Sequence, residues 1–282
     1  MRHRSFFMEI KNGLEEKYGQ LKDRIASEEK AAVAFSGGVD SVFLLYAARE
    51  ALGDRALALT VSLHAVPQKE LAEAKEFCRT YGIRQRIEYM DEFAVEGFAD
   101  NPPDRCYLCK KALFTRMLAL ADEEGCPALL EGSNLDDQGD YRPGLRALRE
   151  LGIKSPLKDA GFTKAEIREM SRRLGLPAWK KPSMACLASR FAYGERITPE
   201  KMTMVEQAEE YLSKLGFIQR RVRMHGGMAR IELLQEDIPR MMEGEIYRRV
   251  QERLSALGFV YVTLDLNGFR SGSMNKGLET HG

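Results

Sequence analysis

Residues 31–41 read Ala-Ala-Val-Ala-Phe-Ser-Gly-Gly-Val-Asp-Ser, and the apolar-rich stretch Val42 to Leu52 follows. The run Ala31 to Phe35 predicts a fully buried strand, and Val42 to Leu52 predicts a helix closed by Gly53. Two glycines between them let the backbone turn tightly and approach a ligand closely. The helix start then presents unpaired N–H groups, which suit phosphate oxygens. Ser36 and Ser41 add hydroxyl donors, and Asp40 can hold Mg²⁺ against the phosphates. No lysine follows the glycines, so this is not the GxxxxGK[ST] loop.

The same grammar repeats along the chain. Strands are predicted at Arg55–Ser62, Ile83–Met90 and Pro127–Gly132, and helices over 4–29, Gln68–Tyr81, Cys109–Glu124, Leu145–Leu151 and Thr163–Leu174. Strands alternating with helices of this length indicate a parallel sheet covered on both faces. Residues 1–175 are therefore expected to form a doubly wound α/β domain. Residues 176–198, with Pro177, Pro182, Trp179 and Cys186, lack periodicity and read as a functional loop at a junction. Residues 199–282 then predict helix Pro199–Leu215, strands Ile218–Met224 and Met228–Leu234, helices across 236–257 and strand Val260–Leu266. These make a small α+β domain with a loose tail from about residue 271. Leu212-Ser-Lys-Leu-Gly-Phe217 is echoed by Leu254-Ser-Ala-Leu-Gly-Phe259, each ahead of a strand.

Composition narrows the function. A chain of 282 residues fits about two domains. Its 43 Lys+Arg against 42 Asp+Glu leave a net charge of +1, which argues against a broadly basic nucleic-acid binder. The longest apolar run, Val42 to Ala48, falls far short of the roughly 20 residues of a membrane span. No long apolar stretch or small-residue cleavage site follows the basic Met1-Arg2-His3-Arg4, so a signal peptide is not expected and the cytosol is the expected location. Five cysteines without a secretory signal favour metal or thiol chemistry over disulfides.

Two further motifs carry chemistry. Glu131-Gly132-Ser133-Asn134-Leu135-Asp136-Asp137 ends a predicted strand, and ligands of open α/β sheets sit at such carboxyl ends. Asn134 and the paired carboxylates are candidate organisers of Mg²⁺ or pyrophosphate. Cys106-Tyr-Leu-Cys109 opens a helix, which brings two sulfurs together and favours thiolate through the helix dipole. A redox dithiol, half a zinc site and part of an iron–sulfur site are all open on spacing alone. If the irregular loop folds over the same strand ends, Cys186 joins the pair. Three thiolates without an obvious fourth ligand suit a cluster with one open iron better than closed zinc, although His64 or His225 could complete a zinc site. Cys78 and Cys126 read as packing residues.

The segment Lys181-Pro-Ser-Met-Ala-Cys186-Leu-Ala-Ser189-Arg190 makes a resemblance specific. Ser36-Gly-Gly-Val-Asp-Ser41 resembles the PP-loop of ATP pyrophosphatases. With Gly132-Ser-Asn-Leu-Asp-Asp137, Asp140-Tyr-Arg-Pro-Gly144, Ala185-Cys-Leu-Ala-Ser-Arg190, Arg221-Val-Arg-Met-His225 and Ala229-Arg-Ile-Glu232 in order, the chain resembles the LarE family of ATP-dependent sulfur transferases from about residue 30 to 275.

That resemblance implies adenylation of a carboxylate of a pyridinium dicarboxylate mononucleotide, with loss of pyrophosphate, then displacement of AMP by sulfur in nickel-pincer nucleotide synthesis. It implies ATP and Mg²⁺ at Ala34, Phe35, Ser36, Gly37, Gly38, Asp40, Ser41, Ser62, Gly132, Asn134 and Asp136. It implies catalytic roles for Cys186, Asp40, Ser189 and Arg190, and a hold on the substrate phosphate by Arg223, His225, Arg230 and Arg270, since Arg suits bidentate phosphate contact. The three-cysteine pattern resembles family members in which Cys106, Cys109 and Cys186 ligate a [4Fe–4S] cluster bearing the sulfur. In sacrificial members Cys186 surrenders its own sulfur and becomes dehydroalanine. The resemblance further implies a hexamer, with no nucleic-acid or membrane partner. Competing readings are an amide-forming enzyme like NAD synthase, a tRNA thiolase, and a non-catalytic nucleotide-binding module.

Overall fold

In the computed structural model, residues 2–137, 143–182, 186–270 and 272–275 are described, the side chains of 2–12 and 275 excepted. The elements run α1 (Arg2–Ala26), β1 (Ala31–Ala34), α2 (Val39–Leu52), β2 (Ala56–Ser62), α3 (Gln68–Thr80), β3 (Arg84–Tyr89), α4 (Arg105–Glu123), β4 (Ala128–Leu130), α5 (Pro143–Glu150), α6 (Pro156–Asp159) and α7 (Lys164–Arg173). After the irregular stretch come α8 (Pro199–Lys214), β5 (Arg220–His225), β6 (Met228–Leu233), α9 (Ile238–Met241), α10 (Ile246–Ala256) and β7 (Tyr261–Leu264).

The first four strands form one parallel sheet in the order β3-β2-β1-β4, with Ala31 paired to both Ala56 and Ala128. The fold class is the doubly wound α/β arrangement expected from the sequence. Short strands of small apolar residues suit a sheet buried on both faces. Ala31 and Val33 face a core built with Tyr18, Leu21 and Ile25 of α1, Phe43 and Leu44 of α2, and Phe162. Ala32, Leu57 and Leu59 face the opposite core, with Phe114, Met117 and Leu120 of α4. The strand after β1 lies on one side of it and β4 on the other, so the order reverses at β1. Open α/β sheets bind ligands outside the carboxyl ends of their strands at such a point.

The chain divides into two compact units. The first holds residues 1–63, 68–90 and 109–183; the second holds 64–67, 91–108 and 184–282. Hydrogen bonds explain why 91–108 goes with the later residues. Asn101, fully buried at φ 54°, donates through Nδ2 to the Ala192 carbonyl at 2.6 Å, and its own carbonyl accepts from Gly194 N–H at 2.9 Å. In the second unit β5 pairs antiparallel with β6, and β6 pairs parallel with β7. The repeated Leu-Ser-x-Leu-Gly-Phe is one helix-ending device used twice. Phe217 N–H bonds back to the Leu212 carbonyl at 3.1 Å, and Phe259 N–H to the Leu254 carbonyl at 3.2 Å, which closes α8 and α10 in the same way.

Candidate functional site

In the first unit the glycine turn is organised by its own short side chains. Ser41 Oγ donates to the Gly38 carbonyl at 3.0 Å, stands 3.2 Å from Ser36 Oγ and accepts from Ser36 N–H at 3.3 Å. Gly37 has φ +75°, and a Cβ there would stand 3.4 Å from the Glu70 carbonyl oxygen and 3.5 Å from Ala74 Cβ. The backbone conformation calls for glycine, while those contacts are ordinary ones. Gly38 caps α2 without a side-chain hydrogen bond, which leaves the first-turn N–H groups available to a ligand. Phe35 N–H extends the ladder to Leu59 O at 2.8 Å, and Thr60 Oγ1 donates to the Phe35 carbonyl at 2.9 Å. Ala34 ends β1, and Ser62, buried at the end of β2, accepts Met90 N–H at its carbonyl at 3.1 Å.

The second motif meets this turn. A Cβ on Gly132 would lie 3.2 Å from both Asp40 Cβ and Ser41 N, so only glycine lets the β4 end approach α2 so closely. Asn134 Nδ2 donates to Asp40 Oδ1 at 3.3 Å, and Lys164 Nζ forms an ion pair with the other Asp40 oxygen. Asp136 Oδ2 accepts Lys164 N–H at 2.7 Å, so this carboxylate seats the start of α7. Lys181 Nζ donates to the Gly37 carbonyl at 3.2 Å and to Glu73 at 2.6 Å, and it pairs with Glu70. Neither lysine was legible in the sequence. Lys164 reads there only as part of the predicted helix Thr163–Leu174, and Lys181 only as the first residue of the cysteine-bearing segment.

The second unit brings Cys106 and Cys186 to one guanidinium. Buried Arg105 donates through Nη2 to Cys106 Sγ at 3.5 Å and through Nη1 to the Ala188 carbonyl at 2.9 Å and to Asn101 Oδ1. Asp104 carries the first-turn bonds of α4 at its carbonyl, so both cysteines fall inside the helix, one turn apart on one side. Cys186 is exposed. Desolvation pushes its thiol up, against the opposing pull of Arg105, the Ala188 N–H and Arg190. Cys78 and Cys126 are buried, and burial alone pushes the Cys78 thiol to about 12.

The peptide of Cys186 is strapped down. Its carbonyl accepts from Ser189 Oγ at 2.7 Å, Ser189 N–H at 2.9 Å and Arg190 Nη1 at 3.2 Å. Arg190 is fully buried and forks onto Glu209 through Nε at 2.8 Å and Nη2 at 2.9 Å. Charge attraction and hydrogen bonds from Arg190 and Val222 N–H outweigh burial and hold the Glu209 carboxyl below its usual range. Ser189 and Arg190 thus act on the loop backbone.

Arg223 and Arg230 face each other across β5 and β6. Buried Glu232 lies between them, 2.9 Å from Arg223 Nη2 and 3.3 Å from Arg230 Nη2. Arg223 Nη1 donates to the Ser189 carbonyl at 3.0 Å, and Arg230 Nη1 to Asp265 at 3.0 Å. Three buried donor or acceptor atoms here have no partner among the described residues: His225 Nε2, Arg230 Nε and Arg270 Nε. Burial and the Arg230 charge push the His225 imidazole below its ordinary value. Burial and neighbouring guanidiniums lower Arg221 to about 10. His64, the other histidine weighed as a ligand, instead lies against Glu92 and Asp91. Tyr141, Arg142 and residues 183–185 fall outside the described residues.

Comparison with known proteins agrees with this geometry. Residues 10–140 match the PP-loop domain family. The pyridinium-3,5-bisthiocarboxylic acid mononucleotide synthase of Lactiplantibacillus plantarum is 38% identical over 248 residues, 88% of this chain and 89% of that one. An uncharacterised protein of Synechocystis is 40% identical over 263 residues, 93% and 98% of the two chains. One of the subunits of the glutamine-hydrolysing GMP synthase of Archaeoglobus fulgidus is 28% identical over 73% of this chain and 71% of its own. The glycine turn and its sheet define a PP-loop ATP pyrophosphatase. Within that class, the chain belongs to the LarE family of ATP-dependent sulfurtransferases.

Proposed function

We propose that the enzyme adenylates a carboxylate of pyridinium-3,5-dicarboxylate mononucleotide and converts it to a thiocarboxylate for nickel-pincer nucleotide synthesis. The name borne by the Lactiplantibacillus relative supports the substrate. In the first step a substrate carboxylate oxygen attacks the α-phosphorus and the bond to pyrophosphate breaks. The N–H groups at the start of α2, with Ser36 and Ser41, hold phosphate oxygens. Asp40 is the residue to hold Mg²⁺; the ion would take the place of the Lys164 ammonium and free it for the phosphates. In the second step sulfur attacks the acyl carbon, a C–S bond forms and AMP leaves.

The observation that carries the sulfur half is the shared Arg105, 3.5 Å from Cys106 Sγ and 2.9 Å from the Ala188 carbonyl just beyond Cys186. The donor set fits an iron–sulfur cluster: the guanidinium that holds the Cys106 sulfur also holds the loop that carries Cys186, and Cys109 lies one turn along α4. A [4Fe–4S] cluster on Cys106, Cys109 and Cys186 would supply an iron-bound sulfide as the transferable sulfur. Arg105 offsets thiolate charge, and Ser189, Arg190 and Arg223 fix the loop that presents Cys186. His225, Arg230 and Arg270 are the residues to bind the mononucleotide phosphate, because each keeps a buried nitrogen without a partner among the described residues. A homo-oligomeric, cytosolic enzyme without nucleic-acid partners completes the reading; among the described residues no helix is long and apolar enough to cross a membrane.

The test is iron and acid-labile sulfide on strictly anaerobic protein beside a Cys106→Ser variant. About four irons per chain, lost in the variant, are expected. Absence of iron with ATP-dependent sulfur transfer intact would overturn the cluster. Dehydroalanine at position 186 after turnover would then identify Cys186 as the sacrificed donor.

A further inference from the structure

Glu92 has no exposed surface, yet neither proposed step uses it. Its carboxylate is fully engaged as an acceptor. Oε1 takes Ala65 N–H at 2.6 Å; Oε2 takes His64 N–H at 3.1 Å and lies 3.2 Å from His64 Nδ1. Ala65, whose N–H is held in this way, is buried, and its carbonyl, on the next peptide, faces the cysteine loop and accepts Leu187 N–H at 3.0 Å. Leu187 follows Cys186. The loop is therefore braced from two directions, through the Leu187 N–H by Ala65 and through the Ala188 carbonyl by Arg105.

We propose that Glu92 is a positioning residue for sulfur transfer: by fixing the main chain at His64 and Ala65, whose carbonyl holds the Leu187 N–H, it sets the height and direction of Cys186. The proposal rests on Cys186 being the sulfur-bearing residue. Buried carboxylates persist only where hydrogen bonds replace their hydration. Here both oxygens meet main-chain N–H donors, so a carboxylate fits and an amide does not. One end of an amide would turn its own N–H₂ toward a peptide N–H. The ligand atoms of His64, Asp91 and Glu92 lie within 4.8 Å of one another, a spacing that would also suit a cation. With both Glu92 oxygens bonded to backbone, the arrangement is that of a brace.

The test uses the full chain and three variants: Glu92→Gln, Glu92→Asp and Asp91→Asn. Three readouts are compared: substrate-dependent ATP–pyrophosphate exchange, single-turnover thiocarboxylate formation, and the rate of Cys186 alkylation by iodoacetamide, located by mass spectrometry. In Glu92→Gln, sulfur transfer should fall by about tenfold or more, as small displacements of a reacting group do. Exchange should stay near wild type. Cys186 should alkylate several times faster, while buried Cys78 and Cys126 stay protected and so exclude general unfolding. Glu92→Asp, which keeps the carboxylate, should recover part of the transfer and folds if the amide variant does not. Asp91→Asn should behave as wild type.

Unchanged alkylation of Cys186 in Glu92→Gln would overturn the brace. So would equal losses of exchange and transfer, or an Asp91→Asn variant as impaired as Glu92→Gln, which would point to a cation. If the wild-type chain transfers no sulfur, the proposed function fails, and the alkylation rates still judge whether Glu92 holds the loop.

Discussion

The nucleotide turn and the cysteine loop solve the same problem, holding reactive groups still, with opposite materials. The turn at 36–41 relies on backbone: two glycines, two serines that bond within the motif, and a helix start. The loop at 186–190 relies on long side chains, its own Arg190 and, from far along the chain, Arg105 and Arg223, each grasping a main-chain carbonyl. Backbone N–H groups are already oriented by the strand and helix that carry them, so they suit a phosphate-rich ligand common to many enzymes. A loop fixed by guanidiniums depends instead on buried ion pairs, and it can be re-aimed by changing a single distant residue. In this chain general chemistry rests on local backbone and the specific chemistry on remote charge.

If the two regions do separate work, they should fail separately. Cys186→Ala is expected to reduce thiocarboxylate formation to background while leaving substrate-dependent ATP–pyrophosphate exchange intact. Asp40→Ala should abolish both. Loss of exchange in Cys186→Ala would collapse the division, because it would place the thiol in the adenylation step. The next largest effect should be structural. Arg190 is fully buried and Glu209 nearly so, so Arg190→Met leaves an unpaired buried carboxylate and should cost about 3–5 kcal/mol of stability. Replacing both partners by apolar residues should recover most of that in denaturant titrations but none of the sulfur transfer. A double variant that transfers sulfur normally would show that the strap on the Cys186 carbonyl is dispensable.

The contrast also explains what could be read from the sequence. The sheet, the turn and the order of helices were legible because each is written in consecutive residues: apolar strands, paired glycines, helix-ending Gly-Phe steps. The Cys106–Cys109 spacing was legible for the same reason. The Arg105 and Glu92 braces were not, because a lone arginine or glutamate has no local signature and its partners lie far along the chain. Lys181 meets Gly37 across 144 positions, and Arg105 meets Ala188 across 83. The Asp136 carboxylate also seats the Lys164 N–H, a contact that no spacing rule encodes.

A smaller effect sharpens the backbone side of the comparison. Gly37→Ala forces a side chain into φ +75° with its Cβ 3.4 Å from the Glu70 carbonyl. Left-handed backbone costs a non-glycine residue about 1–2 kcal/mol. If that strain is relieved by distorting the turn, the KM for ATP should rise by roughly five- to thirtyfold with little change in single-turnover transfer from preformed adenylate. An unchanged KM would mean that the turn tolerates a Cβ and that its precision lies elsewhere.

The smallest effect concerns charge in the second unit. His225 faces Arg223, Arg230, Glu195 and Glu232, and desolvation followed by the Arg230 charge lowers its pKa when folded. A histidine with a depressed folded-state pKa binds fewer protons folded than unfolded, so stability rises with pH across the interval between the two values. Its contribution is complete above the unfolded value of about 6.5 and diminishes as pH falls below that. The wild type should therefore lose melting temperature between pH 7.5 and 5.5, and His225→Gln should lose less. Saturating inorganic phosphate should narrow the difference, because an anion beside the ring favours its protonated form. If His225→Gln tracks the wild type at every pH, with or without phosphate, the imidazole does not sense the cluster. The anion site would then have to be drawn from the arginines alone.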